Sequence, residues 1–210
     1  MKISLIGTSN IGKSYCSRNL AAHHGFKHID CDALIEKKIS VELEKSGCFG
    51  TAGMAKWMGF PADPTYEKNG HRYIDCEEDV MKEAIAGLQA DKDSSAVLDT
   101  TGSVIYASAD VLNSLRAATR VIYFEATEGH TDALFKSYIS HHPKPVIWGE
   151  SYKPVAGEAP RQTLERCYPE LLRDRARRYK EIAHITIPFE QLKKHWTDIG
   201  TFVLKHLEQT

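Results

Sequence analysis

Eight residues near the start of the chain carry its most specific chemistry. Gly7-Thr8-Ser9-Asn10-Ile11-Gly12-Lys13-Ser14 fits the phosphate-loop spacing at every fixed position, two glycines followed by a lysine and a hydroxyl residue. The glycines let successive backbone N–H groups turn inward onto a polyphosphate, and a following helix adds the positive end of its dipole. Lys13 is then placed to reach the β- and γ-phosphates, and the Ser14 hydroxyl to hold Mg²⁺. Cys16, two residues on, completes the candidate nucleotide contacts, although it also falls on the inner face of the helix that starts there.

Further along, Asp30-Cys31-Asp32 sets two carboxylates two residues apart at the end of an apolar run. In open α/β sheets that position faces the crevice where ligands bind. The competing use is helix capping, since one of the pair can serve as N-cap for a helix over Ala33–Ile39. Ala96-Val97-Leu98 runs into Asp99, an apolar strand ending in a carboxylate that is a candidate for the Mg²⁺ shell. The short form is common in α/β chains, so a purely structural Asp99 stays open.

These residues need elements to position them, and the apolar pattern supplies a strand–helix alternation. Short strands are predicted at Lys2–Ile6, Phe26–Ile29, Ser95–Leu98, Arg120–Glu125 and Ile185–Ile187. Helices are predicted at Tyr15–Gly25, Ala33–Ile39, Glu77–Leu88, Ala109–Ala118, Asp132–Ile139, Leu171–Ala183 and Phe189–Leu207. The alternation predicts a doubly wound parallel sheet. Residues 40–72 resist assignment: glycines and prolines punctuate them, and Phe49, Trp57, Met58, Phe60 and Tyr66 are interspersed. The composition reads as a substrate-gripping segment with a few short helices.

The opening of the chain resembles the shikimate kinase family. The residues that carry this are the phosphate loop, the D-x-D of Asp30 and Asp32 followed by Ala33-Leu34-Ile35-Glu36, and Arg175-x-x-x-Tyr179 with Ala183. The resemblance covers residues 1–40, 95–125 and 170–190 well and the rest poorly. It implies a P-loop kinase fold: a five-stranded parallel sheet flanked by helices, in one domain over 1–210. A substrate-binding insert would occupy about 33–75 and a lid about 141–168. It also implies that Asp30 helps hold Mg²⁺, that Asp32 accepts the proton of the acceptor hydroxyl, and that Gly102 and Arg175 bind the substrate. In the lid, His142-Pro143-Lys144-Pro145 would bring Lys144 to the transferring phosphate, unless Lys144 is a solvated loop lysine. Arg161 and Arg166 further along the lid either touch phosphate or adenine or are simply solvated.

Two departures touch the acceptor. The family's second substrate arginine has Ile74 at its position, and Arg72 nearby either takes over that role or is a solvated charge. The family's triple glycine is Thr101-Gly102-Ser103, whose hydroxyls must narrow or repolarise the pocket.

The resemblance implies an ATP- and Mg²⁺-dependent kinase that phosphorylates a hydroxyl of a small, anionic metabolite, shikimate or a related acid. A nucleoside or nucleotide monophosphate kinase and a regulatory nucleotide-binding protein derived from a kinase are the alternatives. Lys and Arg number 27 against 28 Asp and Glu, a formal net charge of −1 that offers nucleic acid or a membrane surface no broad attraction. Five scattered cysteines without C-x-x-C spacing point to a reducing compartment rather than a disulfide framework. The chain starts on a strand, and none of its apolar runs reaches membrane-spanning length. The expectation is a cytoplasmic, monomeric enzyme.

Overall fold

A computed structural model describes residues 1–139 and 144–208. Five strands, β1 (Lys2–Ile6), β2 (Lys27–Asp30), β3 (Ala96–Asp99), β4 (Arg120–Glu125) and β5 (Ile185–Pro188), form one sheet in the order β2-β3-β1-β4-β5. Every pairing is parallel. β3 is buried along its whole length, and β1 along all but its first residue. Parallel strands covered on both faces read as continuous apolar runs, which is why these were the plainest strands in the sequence.

Side-chain alternation splits the core into two layers. Ile3, Leu5, Val97, Ile122 and Phe124 pack on one face with Leu20 of α1 (Lys13–His24) and Val203 of the C-terminal helix. Ile6, Leu98, Val121 and Tyr123 pack on the other with the helices that follow β2 and β3. Ser4 of β1, on this face, is fully buried and shares a hydrogen bond of 2.8 Å with Thr119. A hydroxyl paired in this way avoids the penalty of an orphaned buried group.

After β2 come α2 (Cys31–Lys38), α3 (Ser40–Lys45), α4 (Gly50–Met58) and α5 (Tyr66–Ala90). The unassigned stretch 40–72 is therefore mostly helical, and α5 starts eleven residues before the expected Glu77. Its buried stripe of Tyr73, Cys76, Val80, Met81, Ala84 and Leu88 keeps helical spacing throughout, and Gly70 sits within it with only the Ile147 side chain near the place a Cβ would take. α6 (Ala109–Ala118) and α7 (Thr131–Ile139) flank β4.

The region expected to be an extended lid is partly helix. α8 (Pro160–Ile182) begins with Pro160 at its first position, where a missing N–H costs nothing, and runs on through Pro169. Its N-terminal half packs Leu164, Cys167, Tyr168 and Leu171 around the buried Trp148, whose indole N–H donates to Tyr138 at 3.0 Å. That third core packs much of the expected lid against α7 and α8. Residues 141–143 of the expected lid, including His142 and Pro143, lie outside the described residues.

The predicted closing helix Phe189–Leu207 is broken into α9 (Phe189–Lys194), a 3-10 turn at Trp196–Asp198 and α10 (Ile199–Glu208). At the break, Trp196 leaves the helical path to stack on Tyr15 of α1, with ring centroids 4.7 Å apart and planes 1° apart. No helix among the described residues is long and apolar enough to cross a membrane.

Candidate active site

The phosphate loop lies between the end of β1 and the start of α1. Gly7, Asn10 and Gly12 have φ of 140°, 66° and 102°, the left-handed turns that aim backbone N–H groups into the loop. A Cβ on Gly12 would also come within 2.6 Å of the Trp196 ring, so the glycine answers both to conformation and to the aromatic wall. Lys13 is almost fully buried, and its Nζ donates to the carbonyls of Gly7 at 2.8 Å and Thr8 at 3.0 Å. Burial lowers its pKa to about 8, against the opposing pull of the Asp99 carboxylate. An ammonium so poorly solvated gains strongly from an approaching phosphate.

Asp99 ends β3 directly across from Asp30 at the end of β2. Burial raises its carboxyl, but the His28 hydrogen bond, the Lys13 charge and the Ser14 hydroxyl together hold it below the usual carboxylate value. Ser14, Asp99 and Asp30 thus form an oxygen donor set beside the loop, the hard ligands that suit Mg²⁺.

The two carboxylates of the D-x-D divide their tasks. Asp30 is the cap of α2: its Oδ1 accepts the N–H of Ala33 at 3.0 Å. Asp32, in the first turn of α2 rather than on the strand, is free of capping, and its Oδ2 accepts from Lys144 Nζ at 3.0 Å. The two meet in a cleft of about 440 Å³ lined also by Ser9, Asn10, Gly12, Lys13, Ser14 and Gly102. A larger hollow of about 570 Å³ lies against the outer strand β2 and reaches neither Lys13 nor Asp32. The chemistry-bearing side chains are in the smaller one.

Arg175 of α8 is 3% exposed and does not line the cleft itself but packs beside Gly102, which does. Its Nη2 donates to the Ile147 carbonyl at 2.6 Å, its guanidinium lies 5.6 Å from the Tyr106 ring centre, and Nη1 is 3.4 Å from where a Cβ on Gly102 would stand. Its Nε is buried without an intramolecular partner. Gly102 is held by its own carbonyl, which accepts from Tyr179 at 2.5 Å.

Other expectations need correction. Arg72 is not in the cleft: the turn of α5 puts it on the outer face, half-exposed and ion-paired with Glu42 at 3.0 Å. Cys16 is fully buried in the core, with its amide donating to the Gly12 carbonyl, so it has no group to offer a nucleotide. Ile11 likewise contributes backbone only, its side chain being packed into the core. Arg161 pairs with Glu165, and Arg166 with Glu158, on the surface.

Two residues of the site were missed. Glu77 is 1% exposed, accepts the Thr101 hydroxyl on one oxygen and leaves the other without a partner. Burial pushes its carboxyl up to about 8. An acid on the otherwise apolar stripe of α5 was the available signal. The other is His28, two residues before Asp30 and so on the same face of β2, with Nε2 3.4 Å from Asp99.

Comparison with known proteins agrees with this architecture. No family model matches the chain. In sequence it is 27% identical over 190 residues to a shikimate kinase of Actinobacillus pleuropneumoniae, covering 90% of this chain and 86% of that one. A shikimate kinase of Histophilus somni is 29% identical over 189 residues, with the same coverage. The crystal structure of a Bacteroides thetaiotaomicron shikimate kinase superposes with a TM-score of 0.64 at 16% identity, over 99% of this chain and 98% of that one. An Acinetobacter baumannii shikimate kinase in complex with shikimate gives 0.58 at 22% identity, over 89% and 82%. The chain is similar in sequence to shikimate kinases at 27–29% identity and shares the fold of their solved structures.

Proposed function

We propose that the chain is an ATP-dependent phosphotransferase of the shikimate kinase type, moving the γ-phosphate of ATP to a hydroxyl of a small anionic acceptor, shikimate or a related acid. The observation that carries this is the meeting of Asp32 and Lys144 in one cleft with the phosphate loop. Phosphoryl transfer needs positioning and charge stabilisation more than covalent chemistry. Lys13 and the loop N–H groups hold the β- and γ-phosphates, and Lys144 stabilises charge on the transferring group. Asp32 orients the acceptor hydroxyl and takes its proton, while Gly102 and Arg175 seat the acceptor. Mg²⁺ bound by Ser14, Asp99 and Asp30 would supply charge neutralisation on the nucleotide phosphates. Residues 1–210 act as one such kinase unit, cytoplasmic and monomeric, with the insert over about 33–75 shaping the acceptor side.

The test is ADP release in a coupled assay with shikimate, gluconate and nucleoside monophosphates as acceptors. Turnover stimulated at least about ten-fold by a hydroxy acid supports the proposal. Stimulation only by a nucleoside monophosphate would make the enzyme a nucleotide kinase, and tight ATP binding with no stimulation by any acceptor would make it a regulatory protein.

A further inference from the structure

Near the phosphate loop, three side chains with metal-binding atoms converge. One nitrogen of His28 and one carboxylate oxygen each from Asp30 and Asp99 lie within 4.8 Å of one another. The arrangement follows from the sheet. His28 and Asp30 are two apart on β2 and share a face, while Asp99 is the register partner of Asp30 on β3. β2 is an outer strand, so the imidazole keeps some access to solvent, with 19% of its side chain exposed.

The internal contacts of the cluster do not account for the imidazole. Its only direct partner among the described residues, Asp99, is 3.4 Å away, longer than an ordinary N–H···O bond. Ligand atoms at about 2.1 Å from a shared octahedral ion stand about 3.0 Å apart when adjacent and about 4.2 Å apart when opposite. The 3.4 Å between His28 Nε2 and Asp99 Oδ2 falls in that span, and Asp30 offers its oxygen within 4.8 Å of both. Asp30 uses Oδ1 to cap α2 and carries a second carboxylate oxygen able to serve as a ligand.

Oxygen donors alone suit Mg²⁺, whereas an imidazole favours transition ions, which bind nitrogen more strongly along the series from Mn²⁺ upward. We propose that His28 gives the divalent-cation site at the phosphate loop a nitrogen donor, so that the site takes a transition ion such as Mn²⁺ in preference to Mg²⁺. The proposal rests on the phosphotransferase reading for the presence of a nucleotide-linked cation, and it adds the identity of that cation.

The experiment uses Mn²⁺ as probe, alone and with ADP, on the full chain. Electron spin echo envelope modulation of the bound Mn²⁺ should show a ¹⁴N coupling in the wild type, in either sample. His28→Asn keeps a hydrogen-bond donor toward Asp99 but no imidazole. It should lose that coupling and about ten-fold in Mn²⁺ affinity, while Mg²⁺ affinity stays within about two-fold. Absence of the coupling in both wild-type samples, or its persistence in His28→Asn, overturns the proposal. Unchanged Mn²⁺ affinity in His28→Asn does the same and reduces His28 to a residue that positions Asp99. Calorimetry with ADP separates the two claims: failure to bind ADP would sink the phosphotransferase reading, and the Mn²⁺-only sample would still decide the role of His28.

Discussion

Lys144 Nζ stands 3.0 Å from Asp32 Oδ2, although 112 residues separate the two in sequence. Neither is fully buried, with side chains 28% and 21% exposed, so the pair is worth little as a stabilising salt bridge. Its value is positional. It ties the segment after α7 to the first turn of α2 and holds a cation and a carboxylate side by side in the cleft lined by the phosphate loop.

Asp32→Asn keeps the shape but cannot take a proton, and should lower kcat by roughly 10²-fold or more with ATP affinity little changed. Lys144→Ala should also lower kcat, by at least about ten-fold, because charge on the transferring group loses a partner. Steady-state kinetics on the two variants and their double mutant checks this. Additive losses would mean that the two residues act independently, against the arrangement described above.

Lys13 links the site to pH. Its folded pKa of about 8 lies below the ordinary lysine value of 10.5, because burial disfavours the ammonium. Between those values the unfolded chain binds more protons than the folded one, so this group makes stability rise with pH over about 8 to 10.5. Below 8 the penalty is present in full. Relative to Lys13→Met, the wild type without nucleotide should therefore gain in melting temperature across that window, with flat behaviour counting against the buried ammonium. Bound phosphate favours the charged form, so ADP binding near pH 8 should take up protons, visible as buffer-dependent heats. Lys13→Ala should lose of order 10²-fold or more in turnover.

Glu77 has the opposite sign. Its folded pKa of about 8 is above the ordinary 4.5, with burial as the main cause. Stability held by the protonated form is complete below 4.5 and is lost as pH climbs through 8. Glu77→Gln does not titrate, so it should overtake the wild type across that range, by on the order of a few kcal/mol at the top of it. Urea melts at pH 5 and pH 8 suffice, and an unchanged difference between them would place Glu77 in a more polar setting than the structure does.

The phosphate loop, α6 and β4 could be read directly, because each depends on local spacing: a motif, a 3.6-residue period and an apolar run. The two layers of the core come from alternation along strands such as Ile3, Ser4, Leu5 and Ile6, and only the structure shows which helices cover each face. What could not be read depended on distant partners. Which aspartate caps α2 is decided by backbone geometry at the strand end, and the D-x-D spacing is neutral on it. α8 runs through Pro169 because Trp148 and Tyr138 give its first half a core to pack on. The break at Trp196 exists because Tyr15, at the other end of the chain, offers a ring to stack on. Arg72 and Ile74 differ by only two positions, yet the helix sends the arginine out to Glu42.

The acceptor side carries one buried arginine. With Arg72 engaged by Glu42, Arg175 is the one arginine of the proposed acceptor pair that remains, and a charge-assisted bond is typically worth about 1.5–3 kcal/mol. Shikimate should bind at least about ten-fold more weakly than to a pocket with two arginines. Arg72→Ala should leave the KM for the acceptor unchanged, whereas Arg175→Ala should raise it about ten-fold or more. A rise in KM for Arg72→Ala would mean that the insert closes over the acceptor and brings Arg72 in.

The most direct measurement of the central claim is ³¹P NMR of the reaction mixture with ATP, Mg²⁺ or Mn²⁺, and shikimate or a related hydroxy acid. The account predicts a new phosphomonoester resonance growing in step with ADP, absent with Lys13→Ala and slowed about 10²-fold or more with Asp32→Asn. ADP accumulating only with inorganic phosphate, at a rate indifferent to every hydroxy acid, would contradict it.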